Sequence, residues 1–359
     1  MRNHQLYLHA DLIDFAFKCL TAAGLKSEMA SVVARRILDA DLSGHDTHGL
    51  ALLPRYLTEL EEGKTAKDGT IETVSSRGAC LTWDAGMLPG HWVLERAFET
   101  AIGLVPEHGL VSIAVRRSQH VGALQVYLNM ATDRGYMCLL WVTDSKVRSV
   151  APPGGLDAVL TSEPIAAGIP TRGVPILVDT TTSLTSNNYV KQVQMRGERL
   201  PWPALLSAEG KASDDPAVLS GEHPGTILPL GGITHGHKGY AIAMIVSALS
   251  LGLPGLGRVS GEKAQGFFLQ IIDPDAFGGR DVFLDEADWM ANATRAARPI
   301  DPARPVRVPG DGARARTASQ MAQGVAVSDE IRKATKPWAA RYGITFPNEI
   351  EREVEAAQE

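Results

Sequence analysis

Apolar residues recur at helical spacing in two runs near the start of the chain. Leu12, Phe15, Ala16, Cys19 and Leu20 follow Asp11 and stop before Gly24, which predicts a helix over residues 11–23. Met29, Val32, Val33, Ala34, Ile37 and Leu38 repeat the pattern over 27–42, behind Ser27 and with Glu28 in the first turn, where a carboxylate suits the helix dipole. A third helix is expected over 50–60, with Pro54 tolerated in its first turn and Gly63 ending it. From about residue 70 the pattern changes to short strands broken by Gly and Pro, IETVSS and ACLTWDA, then a helix over 91–108 and the strand LVSIAV at 110–115. A helix follows with Val121, Leu124, Tyr127, Leu128 and Ala131 on one face, and residues 136–183 alternate strands with turns. Residues 203–226 are polar and proline-punctuated, which predicts a surface loop turning at Glu209 and Gly210.

Further on, PLGGITHGHKGYAIAMIVSALSLG over 229–252 runs a glycine-rich loop into a helix whose residues from Ala241 to Leu251 are almost all small or apolar, so that helix is expected to be buried on most sides. The strand FFLQIIDP, a helix over 281–297, a last helical region over 318–341 and an acidic tail complete the pattern, with no internal repeat.

Composition narrows the class. A chain of 359 residues with 44% hydrophobic and 21% charged residues is ordinary globular material for two or three domains. The formal charge of -6 and the lack of a dense basic run with interleaved aromatics argue against nucleic acid as a partner. Cys19, Cys80 and Cys138 lie far apart, without zinc-site or disulfide spacing. The first residues carry acids where a signal peptide needs an apolar core, and no apolar run reaches bilayer length, so a soluble cytoplasmic protein without membrane contact is expected.

The chemistry concentrates at a few turns. GHDTHGLALLPRY at 44–56 packs His45, Asp46, Thr47 and His48 into one polar turn behind the second helix. A histidine there can exchange protons near neutrality while the neighbouring hydroxyl and carboxylate fix its tautomer; alternatively, Asp46 or Thr47 merely caps a helix terminus. His120 stands between a strand and a helix, where the positive helix end would hold it neutral, or where it only caps or packs. Asp179, closing the strand PILVD, is either an acid for a ribose or amide or a turn residue. His237 and Lys238 are read at the start of their helix, where amides, dipole and ammonium favour an anion. Pro309, Gly310 and Asp311 form a loop able to return to a site. Neither GxGxxG nor GxxxxGKS/T occurs in a nucleotide-binding context, and the pair His45 and His48 with Asp46 lacks a well-spaced third ligand, so no metal is expected.

GHDTHGLALLPRY, SQHVG, VAPPGG, VDTTTS, HGHKGYAIA and VPGDG, in that order over nearly the whole chain, resemble the landmarks of the type-2 malate/L-lactate dehydrogenase family, and the first motif is most similar to the hydroxycarboxylate dehydrogenase branch. The resemblance implies an α/β fold with a mixed, largely antiparallel sheet and no Rossmann motif. It implies a helical segment over 1–75 packing with 300–359, and a cofactor-binding α/β domain over 76–299. It also implies a homodimer with a shared active site, NAD or NADP as cofactor, and a small carboxylate substrate. His48 becomes the proton donor or acceptor and His120 the second candidate, while His45, Asp46, Thr47 and Arg55 become supporting or substrate-side groups. Gly122, Ala123, Leu124, Val178, Asp179, Thr180, Thr181, His237, Lys238, Pro309, Gly310 and Asp311 become cofactor contacts.

The chain also departs from the pattern. Leu52 stands where many members carry a substrate-binding arginine, for which Arg55 is a substitute on a different helix face. TSEP replaces GTNP and brings in Glu163; Asn188 and Tyr189 replace a Gly-Lys pair. Both changes remove attraction for anions, with Lys146, Arg148 and Lys191 as compensating charges. Three functions follow: hydride transfer to or from a 2-hydroxy/2-oxo acid, reduction of a cyclic imino acid, or a non-redox descendant using the paired histidines for proton transfer or ligand binding.

Overall fold

The computed structural model describes residues 4–350, so the acidic tail falls largely outside the described residues. Two compact units form: the chain up to Asp68 together with the chain from Asp311 onward, and a continuous body Gly69–Gly310.

The first unit holds β1 (His4–Tyr7), α1 (His9–Ala22), α2 (Ser27–Ser43), α3 (Leu53–Glu61) and, numbered through the whole chain, α9 (Asp311–Gln323), β12 (Val325–Ser328) and α10 (Asp329–Arg341). The apolar stripes read from the sequence bury themselves: Leu12, Phe15, Cys19 and Leu20 of α1 and Met29, Val33, Ile37 and Leu38 of α2 are all buried. Pro54 sits at the start of α3, behind a 3-10 turn over Leu50–Leu52. β1 pairs antiparallel with β12, so the two ends of the chain meet in one sheet. Phe346 closes this core edge-on against Tyr7, with ring centroids 5.4 Å apart. The single helical region expected near the end is two helices separated by β12, because the backbone after Gly324 (φ 100°) leaves the helix to pair with β1.

The second unit is built on a seven-stranded sheet. Its strands are β2 (Glu72–Arg77), β3 (Cys80–Asp84), β4 (Leu110–Ser118), β5 (Met137–Asp144), β6 (Pro164–Ile169), β7 (Ile176–Thr181) and β11 (Gln265–Ile272), in the order β2-β3-β4-β11-β5-β6-β7. Only β3 and β4 run parallel, joined through α4 (Gly90–His108); every other neighbouring pair is antiparallel. α4 and α5 (Gln125–Thr132) lie on this sheet, with Phe98 stacked on Tyr127. The expected surface loop at 203–226 is instead a small sheet of β8 (Leu205–Leu206), β9 (Ala212–Ser213) and β10 (Thr226–Ile227), which caps a core of Val190, Val193, Leu200, Ala204 and Ile227 with α6 (Asn187–Met195). The Glu209–Gly210 turn is its hairpin, with Gly210 in the left-handed region at φ 76°.

α7 (Gly232–Ser247) departs most from expectation. Only Gly236, Gly239, Ala243 and Val246 are buried, whereas Ile233, Met244 and Ile245 are more than half exposed. The small residues permit a close approach on one side, and the apolar residues on the other sides face outward. α8 (Arg280–Ala296) completes the unit. No helix among the described residues is long and apolar enough to cross a membrane.

Candidate active site

The polar turn after α2 is built from the helix end. Gly44, at φ 81°, closes α2, and His45 N–H reaches back to the Ala40 carbonyl at 2.8 Å. His48 N–H then donates to the His45 carbonyl at 2.7 Å, which folds the turn tightly on itself. The capping role weighed for Asp46 and Thr47 belongs to Asp41, whose buried carboxylate accepts the Leu50 amide at 2.7 Å. Burial pushes the Asp41 carboxyl up to about 8, opposed by the Leu50 hydrogen bond and reinforced by the charge of the exposed Asp46.

Thr47 Oγ1 lies 2.8 Å from His48 Nδ1, so hydroxyl and ring share one hydrogen. Burial, followed by the neighbouring His45 and Arg55, holds His48 down at about 4, so its ring is neutral at working pH. Arg55 itself donates to Glu59 one turn along α3 at 2.9 Å, and that ion pair already engages the arginine expected to replace the residue absent at Leu52.

In the second unit, β4 ends at Ser118 and α5 starts at Gln125, which places His120 in the connecting loop. Its peptide sits on the start of α4. The segment Gln119–Leu124 is held by Gln119 N–H on the Leu88 carbonyl, Val121 N–H on Gln265 Oε1 and the Tyr127 hydroxyl on the Val121 carbonyl. Gly122, Ala123 and Leu124 are buried, with Gly122 at φ 76°.

β7 gathers three of the proposed cofactor segments. Pro309 accepts the Leu177 amide at 3.0 Å, and Gly310, at φ 98°, lies on Leu177 so closely that a β-carbon would meet it at 3.1 Å. Two residues on, and on the same side of the strand, Asp179 Oδ2 accepts the Gln125 amide at 3.0 Å and so caps α5. Val178 is half-buried and Thr180 exposed, while the Thr181 hydroxyl turns to the Ser183 carbonyl. Beyond β7, Thr182 accepts the Leu230 amide and brings the α7 start alongside. Asp311 opens α9 and belongs to the first unit, where it pairs with Arg314.

His237 and Lys238 are not at a helix start. α7 begins at Gly232, so both lie in its second turn and are exposed. The true first turn borders a cavity of 210 Å³ lined by Gly154, Gly155, Thr226, Ile227, Gly232 and Ile233. The VAPPGG turn and the α7 start therefore meet there.

The two departures from the motif pattern have structural answers. Glu163, at φ 42° and fully buried, pairs with Arg258 at 2.6 Å and also accepts from Ser247. Its charge is thus met by Arg258, while Lys146, Arg148 and Lys191 are exposed. Burial, opposed by Thr143, Arg258 and Ser247, leaves the Glu163 carboxyl raised to about 7. Tyr189 packs, partly buried, on the core around Val190. Asp41, His91, Gln265 and Arg258, which shape these turns, carry no local signal in the sequence: each acts on a residue distant along the chain. Among the described residues no cluster of three or more His, Cys, Asp or Glu side chains could hold a metal ion.

Comparison with known proteins matches residues 8–335 to the family described as malate/L-lactate dehydrogenase. An L-lactate dehydrogenase of Cupriavidus necator is 29% identical over 301 residues, covering 81% of this chain and 85% of the relative. The solved dehydrogenase of Sinorhizobium meliloti superposes with a TM-score of 0.81 at 29% identity over 94% of this chain and 98% of that one. A delta1-piperideine-2-carboxylate reductase of Pseudomonas syringae pvar. tomato follows at 0.80 and 25%, covering 93% and 100%.

Proposed function

The chain belongs to the malate/L-lactate dehydrogenase family, and from that premise we propose that it transfers a hydride between NAD or NADP and a small 2-hydroxy/2-oxo carboxylic acid, with His48 exchanging the substrate hydroxyl proton. The observation that carries this is the state of His48: a neutral imidazole whose Nδ1 lies 2.8 Å from the Thr47 hydroxyl, which fixes the ring in its turn. When bound, the nicotinamide supplies the hydride acceptor or donor at its C4.

In the oxidative direction the neutral His48 ring takes the hydroxyl proton as hydride leaves the substrate carbon, and reduction is the reverse of that step, starting from the ring protonated by solvent. His120, on a loop pinned at three points, is the second acid/base group. Thr47 at 2.8 Å, with His45 and Asp46 in the same turn, orients His48, and Arg55 is the substrate-side candidate. The fit to a dinucleotide rests on backbone rather than side chains: Gly122 to Leu124, the β7 segment Val178 to Thr181 and the Pro309–Gly310 turn are joined through β7, with Gly122 and Gly310 both in the left-handed region that favours glycine. Lys238 and His237, on the exposed second turn of α7, remain available to an anionic group. The outward apolar side of α7 supports a homodimer. The free cysteines, two of them buried, support a reducing cytoplasm.

A second reading, reduction of a cyclic imino acid, is favoured by the piperideine carboxylate reductase among the structural relatives. His48→Asn tests the proton role directly. Turnover of L-malate, L-lactate or the corresponding oxo acids should vanish while NADH or NADPH binding, read by fluorescence, persists; undiminished turnover overturns the assignment. Comparing pyruvate and oxaloacetate with a piperideine carboxylate as oxidants of NADH and NADPH separates the two substrate readings.

A further inference from the structure

We propose that His91 is the positioning residue that sets the orientation of His120, an inference that rests on the reading of His120 as a working acid/base group. Three bonds template the His120 segment on residues 85–88: Ala85 N–H to the Arg116 carbonyl at 2.9 Å, Met87 N–H to the Arg117 carbonyl at 2.7 Å, and Gln119 N–H to the Leu88 carbonyl at 3.1 Å. Met87 and Arg117, joined by the second of these, both hold left-handed backbones at φ 64° and 57°. Such conformations persist in non-glycine residues only where surrounding contacts impose them.

α4 then starts directly beneath the segment. A β-carbon on Gly90 would lie 2.1 Å from the Gln119 carbonyl oxygen and 2.6 Å from that of His120, so the helix start and the His120 peptide touch backbone to backbone. His91 follows, only 2% exposed, with its ring at 73° to that of His120 and 6.5 Å between centroids. Its Nε2 also stands 2.5 Å from where a Gly122 β-carbon would be. One imidazole therefore contacts both the His120 ring and the Gly122 backbone, carried on the first turn of a long helix packed on the sheet. A ring in edge-to-face contact is restricted in rotation about its side-chain bonds, and first contacts of this kind hold reacting groups in register. His91 thus holds the His120 ring and the backbone at Gly122 in one fixed relation.

His91→Ala should lower kcat for L-malate or L-lactate at least tenfold, and shift the pH profile of kcat/KM, while the melting temperature changes far less than the rate. His91→Gln, which keeps an amide nitrogen near the position of Nε2, should restore most of kcat. In a His120→Ala background the His91→Ala change should add nothing further, since the two residues act as a unit; an equal loss in both backgrounds, or wild-type kcat and pH profile in His91→Ala, overturns the proposal. A second readout does not depend on turnover: in histidine-labelled protein the ring carbon resonance of His120 should move and broaden in His91→Ala. An unmoved His120 resonance overturns the positioning role, whereas wild-type turnover in His120→Ala with a moved resonance overturns only the catalytic reading of His120.

Discussion

Gly49 has no room for a side chain because Asp41 occupies it: a β-carbon there would lie 1.8 Å from Asp41 Oδ1, while Asp41 Oδ2 takes the Leu50 amide at 2.7 Å. The glycine of the His-Gly pair is thus explained by an acid one helix back, which locks the end of the His48 turn to α2. Gly49→Ala should push Asp41 or the turn aside and lower stability by about 1–3 kcal/mol. Urea unfolding measures this loss, and turnover should fall with it because His48 is the neighbouring residue. A variant as stable and as active as the wild type would show that Asp41 can move at no cost.

The depressed pKa of His48 has a defined signature in acid. A histidine held at about 4 against an ordinary 6.5 favours the neutral form in the folded state. Its contribution to stability is therefore complete above 6.5 and is lost as the pH falls toward 4. His48→Gln, which cannot titrate, should flatten the part of the acid decline in unfolding free energy lying between these values. Identical pH profiles for both proteins would contradict the shift.

Arg258→Ala should leave Glu163 as a buried carboxyl without its cation. Removing one partner of a buried pair costs about 3–5 kcal/mol when the other stays charged. The folded-state value of about 7 lies above the ordinary 4.5, so the Glu163 contribution to stability is fully present below 4.5 and lost as the pH rises through about 7. The penalty of Arg258→Ala should accordingly be larger at pH 8 than at pH 5.5, as read from unfolding midpoints. A penalty independent of pH would mean that Glu163 does not titrate in this range.

The outward side of α7 predicts an assembly. Met244 is 60% and Ile245 53% exposed on the same helix, an unusual concentration of apolar surface for an isolated chain. Wild-type protein should have the mass of a homodimer by light scattering, and Met244→Lys with Ile245→Glu should shift it toward the monomer. A dimer that survives both charges uses another face.

What the sequence by itself determined is what depends on neighbours in the chain. The periods of α1, α2, α4 and β11 mark their elements because burial of one face imposes spacing directly, and Thr47 against His48 is legible because the two are adjacent. The ordered motifs carried the family for the same reason, each being a short turn whose glycines and polar residues act locally. Tertiary structure alone decided the rest. Periodicity reports that Ile245 and Met244 are apolar but not what covers them, so α7 was expected to be buried and is largely exposed. α7 starts at Gly232, five residues before His237, because the helix begins within a glycine-rich run that propensity reads as loop. β12 interrupts the last helical pattern because its partner strand lies at the other end of the chain. Glu163 looked like a charge set against anions until folding brought Arg258 to it from 95 residues away. His91 read as one more helix residue, and only the close backbone approach of Gly90 to the His120 peptide sets its ring against His120.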